Sequence, residues 1–106
     1  MNRQVTIDRL IWDEWNRTHI ARHAVLPEEA EEVMIGAPIF RESYKGRIAV
    51  TGATMAGRIL TVVVGPVPRE LATFYVFSAR PASRRERREY AHQKEGRTNE
   101  PTQTNR

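Results

Sequence analysis

The hydrophobic positions change their period along the chain, and each change marks an element. Val5 and Ile7 alternate with polar residues and lead into Leu10-Ile11-Trp12, a short first strand. Asp13 follows as an N-cap candidate, because a carboxylate there accepts the orphan N–H groups of a first helical turn. The helix it opens runs over about 14–23 and carries Trp15, His19 and His23 on one face. Pro27 suits the first turn of a second helix, where Glu28 and Glu29 favour the positive end. Ala30, Val33 and Met34 form the inward stripe of that helix, and Gly36 stops it. From Ile39-Phe40 onward the period is two. Residues 47–54 and 58–64 are β-rich runs joined by Met55-Ala56-Gly57, a hairpin signal. Gly65-Pro66-Val67-Pro68 reads as a turn or break, and Thr73 to Ser78 as a further strand. Ser83 and Glu86 form a capping box that opens a last helix over about 84–95, with Gly96 as its stop.

The order β-α-α-β-β-β-β-α predicts a small single α+β domain over residues 1–95. Its sheet is expected to be an antiparallel meander, with two N-terminal helices and one C-terminal helix. Residues 96–106 hold no apolar side chain and read as a disordered tail.

Composition narrows the chemistry. The 106 residues include no cysteine, which excludes disulfides, thiol catalysis, zinc–thiolate sites and iron–sulfur clusters. A reducing cytoplasm fits such a chain. The longest apolar run, Ile59 to Val64, is strand length and far short of the roughly 18 residues of a membrane span. Met1 to Asp8 offers no apolar stretch for a signal peptide. The net charge of +4 is unevenly placed: residues 1–79 are neutral overall, so the whole excess lies in residues 80–106. That asymmetry points to a polyanionic partner, or to a solvated charged tail.

Three constellations carry candidate chemistry. His19 and His23 stand at i and i+4, but the residues between them are Ile, Ala and Arg, without the glutamate of a zinc-binding His-Glu-x-x-His pair. They read as structural histidines near a helix end, or as acid/base or phosphate-contacting groups. The second is Ser78-Ala-Arg80-Pro-Ala-Ser83-Arg84-Arg85-Glu86-Arg87-Arg88, which leaves a strand and enters a capped helix. Arginine forks match phosphate oxygens, and a helix N-terminus adds backbone donors. The bland alternative is a solvated face neutralised by Glu86 and Glu89. The third is the pair Trp12 and Trp15, which reads as core anchors, with base stacking as the sharper alternative.

Taken in order, these segments resemble the BrnT-type toxins. The carrying residues are Trp12-Asp13-Glu14, then Arg22-His23-Ala24-Val25 and Pro27-Glu28-Glu29-Ala30, the hairpin of residues 47–64, and Ser78-Ala79-Arg80-Pro81-Ala82-Ser83-Arg84-Arg85-Glu86-Arg87. The resemblance spans about residues 10–90. It implies a RelE-like ribonuclease fold and the toxin half of a bacterial type II toxin–antitoxin pair, a growth-inhibiting enzyme that cleaves RNA without metal or organic cofactor. It implies a BrnA-like antitoxin as partner, in a possible dimer of heterodimers, RNA as substrate, and no membrane.

Carried over position by position, His23 matches the family histidine and Arg80 the arginine of Ser-Ala-Arg. Arg22 stands where lysine is usual. Tyr75 occupies a strand position often held by arginine, His19 one often held by asparagine, and Ala24 one usually held by glycine. The turn at Ala24 is therefore expected to avoid a positive φ. His23 is the expected general acid or base, with Arg80 holding the scissile phosphate and Tyr75 donating a hydrogen bond. Arg22, Arg84 and Arg85 are the expected phosphate contacts, and Glu86 is expected to cap its helix rather than act as a base. The rival reading is a decayed, non-catalytic module that docks an acidic protein or nucleic acid through the basic last helix.

Overall fold

The chain runs β1 (Arg9–Ile11), α1 (Glu14–Ala21), α2 (Pro27–Ile35), β2 (Ile39–Glu42), β3 (Ile48–Ala53), β4 (Ile59–Pro66), β5 (Thr73–Pro81) and α3 (Arg84–Thr104). This computed structural model describes residues 5–104, and side chains through residue 95. One sheet holds all five strands in the order β1-β5-β4-β3-β2. β2 to β5 are antiparallel neighbours, as expected. β1 corrects the antiparallel expectation, because it runs parallel to β5, with Leu10 opposite Phe74. Alternation of apolar residues carries no strand direction. Here α1 and α2 take the chain from one edge of the sheet to the other, so β1 and β2 end as opposite edges.

The helices α1 and α2 cover one face of the sheet. Ile20, Val25, Ala30 and Val33 meet Val50, Leu60, Val62, Val64, Phe74 and Val76 in a single apolar cluster. Side chains in that layer come from alternate strand positions, which is why the period-two pattern was readable. The α1 start is a reciprocal box: the Asn16 N–H donates to the Asp13 carboxylate and the Asp13 N–H donates to the Asn16 side-chain oxygen, both at 2.9 Å. The Asn16 amide also donates to the carbonyls of Ile11 and Val76 at 3.0 Å. Thus, where β1 ends, α1 takes over the exposed edge of β5 and satisfies its next backbone acceptor.

The end of α1 explains the segment Arg22-His23-Ala24-Val25. The Ala24 N–H donates to the Ala21 carbonyl at 3.0 Å, and the Val25 N–H reaches back to the Ile20 carbonyl at 3.2 Å. These nested bonds are a Schellman motif, with the buried pair Ile20 and Val25 as its apolar contact. Ala24 occupies its left-handed position, with φ +59°. The turn keeps its positive φ, contrary to expectation, because the bonds and the Ile20–Val25 contact fix the path of the chain.

Two further boundaries differ from the sequence pattern. β4 continues through Gly65 and Pro66, which pair with Tyr75 and Phe74. The β3 ladder ends opposite Val64, so Pro66 lacks a neighbour on that side and its missing N–H is tolerated. α3 passes through Gly96 to Thr104, so Gly96 is not the stop expected for this helix. An interior glycine weakens a helix by about 1 kcal/mol without ending it. Residues 105–106 lie outside the described residues. Among the described residues, no helix is long and apolar enough to cross a membrane.

Replacing Ala24 by glycine should remove the Cβ strain at the left-handed position. We expect a gain of about 1 kcal/mol, read as a rise of several degrees in melting temperature. An unchanged or lower melting temperature would show that the turn is not held in this conformation.

Candidate nucleic-acid interface

The second face of the sheet carries the candidate site, and a β-bulge on β5 sets its composition. Phe74 and Val76 face the core, while Tyr75 and Phe77 line the opposite side. In a regular strand Arg80 would share the side of Phe74 and Val76, because side chains alternate. The register shifts instead: Val64 pairs with Val76 and Val63 with Ser78, leaving Phe77 as the extra residue. The parity therefore flips. Ala79 becomes the buried residue, and Arg80 joins Tyr75 on the open side.

This open side forms a cleft of about 750 Å³. Arg47, from just before β3, lies with its guanidinium carbon 3.6 Å from the Phe77 ring centroid and 5.2 Å from that of Tyr44. The Phe77 ring needs Gly65 beneath it, since a Cβ at Gly65 would stand 2.8 Å from the ring. From α1, Trp15 and His19 complete the wall. Their rings stack at 4.8 Å with planes 8° apart, and Trp15 remains 57% exposed. Trp15 is thus not the core anchor expected. Trp12 is the tryptophan packed on the core, with its indole N–H donating to Glu31 at 2.8 Å.

The floor at Arg80 is a network around Glu86. Arg80 donates to the two carboxylate oxygens at 2.8 and 2.9 Å, and Arg41 adds a bond at 3.1 Å. The Thr61 hydroxyl donates at 2.9 Å, and the Ser83 N–H at 2.8 Å closes the capping box of α3. Glu86 is only 5% exposed. Arg80, more than burial opposes it, holds this carboxyl far below the usual carboxylate range, with the Ser83 N–H and Thr61 adding to the effect. The same pairing raises the Arg80 guanidinium further above its ordinary value. Glu86 is therefore an anion at neutral pH with its acceptor sites occupied, which suits a cap and a tether and not a base.

Tyr75 also has a fixed partner. Its hydroxyl donates to the Asp13 carboxylate, 3.0 Å from each oxygen. Burial, and then Asp13, raise the phenol above its ordinary value. It stays protonated at neutral pH and serves as a donor.

Of the residues singled out in the sequence, Arg80 and Tyr75 come together in the cleft. His23 does not line it: the residue follows the last turn of α1, is exposed, and sets its ring edge-on to His19 at 6.0 Å. Arg22 lines a neighbouring hollow with Trp15 and His19. Arg85 borders a separate recess with Arg41, Glu86 and Glu89, and Arg84 is an exposed residue of α3. The sequence reading missed Arg41 and Arg47 as cleft residues. Their signal was the period of two, since Arg41 pairs with Ala49 and Arg47 precedes Ala49 by two positions. The bulge that exposes Arg80 left no such signal.

Removing the buried anion should loosen α3. Glu86→Ala is expected to cost about 3 kcal/mol, seen in chemical denaturation, because two cations and two donors lose their acceptor. The pH dependence has a definite sign. A carboxyl depressed in the folded state contributes its full stability above the unfolded value of about 4.3, and loses it as the pH falls below. Glu86→Gln should therefore flatten the loss of stability below about pH 4. Equal acid slopes for wild type and Glu86→Gln would contradict the network.

No family model and no curated relative matches the chain. Among solved structures, it is similar to the crystal structure of the Brucella abortus ribonuclease toxin BrnT, with a TM-score of 0.57 and 28% identity. The match covers 74% of this chain and 100% of that one. The compact α+β arrangement of three helices and a mixed five-stranded sheet is the BrnT fold, and the resemblance to the BrnT-type toxins read from the sequence holds over the whole length of that toxin.

Proposed function

We propose that this protein is the toxin of a bacterial type II toxin–antitoxin pair and acts as a metal-independent endoribonuclease. The observation that carries the reading is the cleft itself: arginines and exposed rings interleaved on the open face of a fold shared with a ribonuclease toxin. Guanidinium groups meet phosphate oxygens, and exposed aromatic faces stack on unpaired bases, so this lining fits single-stranded RNA.

In the proposed reaction the 2′-hydroxyl of the substrate attacks the adjacent phosphorus. Arg47 and the solvent-facing side of Arg80 neutralise the charge that builds on the phosphoryl oxygens. Tyr75, held by Asp13, orients the wall of the cleft next to that phosphate. A cognate antitoxin would cover the cleft or the basic surface of α3, and the cytoplasm is where both its partner and its substrate would be met.

A second reading has one specific observation in its favour. The Arg80 fork is already engaged by Glu86. A chain with its central cation neutralised in this way could bind a polyanion through Arg47 and the α3 arginines without cleaving it.

Induced expression in a bacterial host, beside purified protein mixed with single-stranded RNA, separates the two. The proposal predicts growth arrest and cleavage by wild type. It predicts a roughly hundred- to thousand-fold loss of cleavage in Arg80→Ala and Arg47→Ala at matched soluble levels. A 2′-deoxy substitution at the cut site should abolish cleavage there. Tight RNA binding with no cleavage by folded wild type would favour the binding module.

A further inference from the structure

The expected acid/base residue, His23, lies outside the cleft, while an unassigned histidine lies inside it. We infer that His19 is the group that moves the proton in the RNA-cleaving reaction, an inference that rests on the ribonuclease reading above.

Position and constraint both support this. His19 lines the same cleft as Arg47, Tyr75 and Arg80. Acid/base catalysis requires the transferring group near the phosphate to be cleaved, and among the described residues no other histidine lines that cleft. The ring is also fixed. Trp15 stacks on it from one turn earlier, and His23 meets it edge-on from one turn later. The row Trp15, His19, His23 thus has a division of labour along one helix face. Trp15 supports the imidazole and offers surface to a base, and His19 reaches the cleft. His23 is the outer neighbour, next to the Schellman turn. The other cleft residues do not serve as a base near neutral pH: the arginines stay charged, and the Tyr75 phenol is committed to Asp13.

The step balances without a further reactant. Neutral His19 takes the 2′-hydroxyl proton as that oxygen bonds to phosphorus. The bond from phosphorus to the 5′-oxygen breaks, and the departing oxygen takes a proton from water. A 2′,3′-cyclic phosphate and a 5′-hydroxyl end result, and the imidazolium returns its proton to solvent.

The test uses full-length protein and a single-stranded RNA, with the all-2′-deoxy oligonucleotide of the same sequence as a non-cleavable binding probe. His19→Phe keeps a ring against Trp15 and removes proton transfer. It should lower cleavage by about a hundred- to ten-thousand-fold while binding the deoxy probe within a few-fold of wild type. His19→Ala should regain activity in proportion to added imidazole, which a structural role would not allow. His23→Phe should cleave within a few-fold of wild type. Cleavage by His19→Phe at the wild-type rate, or loss in His23→Phe alone, would overturn the assignment and leave the ribonuclease reading standing. Absence of cleavage by folded wild type would overturn both.

Discussion

One buried carboxylate, Glu86, joins the last helix to three strands of the sheet. It caps α3 through Ser83, accepts from Thr61 on β4, and fixes Arg80 on β5 and Arg41 on β2. An anion at 5% exposure is stable only with such a set of donors. The arrangement also resolves an apparent conflict in the sequence. α3 is polar nearly all round, yet it packs on the sheet, because its contact is an ionic network flanked by Ala82 and Tyr90 rather than an apolar stripe. Because α3 sits over one end of the face, the remaining end is left as the cleft.

The bulge at Phe77 is the second constraint. It places Tyr75, Phe77 and Arg80 on one side of a strand whose sequence spacing puts the first and last on opposite sides. It also sets the Phe77 ring over Gly65, where it becomes the platform for Arg47. Glu86 and the bulge therefore cooperate: one aims Arg80 at the open face, and the other holds its charge in place. The consequence is a cleft whose three arginines differ in how they are held. Arg80 and Arg41 are tethered to the Glu86 carboxylate, whereas Arg47 rests on the Tyr44 and Phe77 rings.

Much of this was legible in the chain. The caps at Asp13 and Ser83, the Pro27 start, the hairpin around Gly57 and the inward stripes depend on local geometry, and local geometry is written in neighbouring residues. Two kinds of feature were not. The parallel pairing of β1 and the exposure of Trp15 depend on where α1 lies against β5, a contact between distant segments. Ala24 and Arg80 depend on backbone conformations that side-chain patterns do not encode: a left-handed turn kept by nested hydrogen bonds, and a one-residue change of register. The same limit explains the histidines. Spacing put His19 and His23 on one helix face, and only the start of the Schellman turn separates the one in the cleft from the one beyond it.

In the proposed function, single-stranded RNA occupies the open sheet face between α1 and α3. The most direct measurement is backbone and side-chain NMR of the protein titrated with a 2′-deoxy oligonucleotide that binds without being cut. The expected result is a contiguous set of shifts at Trp15, His19, Arg47, Tyr75, Phe77 and Arg80, with α2 silent. Shifts confined to the exposed arginines of α3, with the cleft residues unmoved, would contradict it.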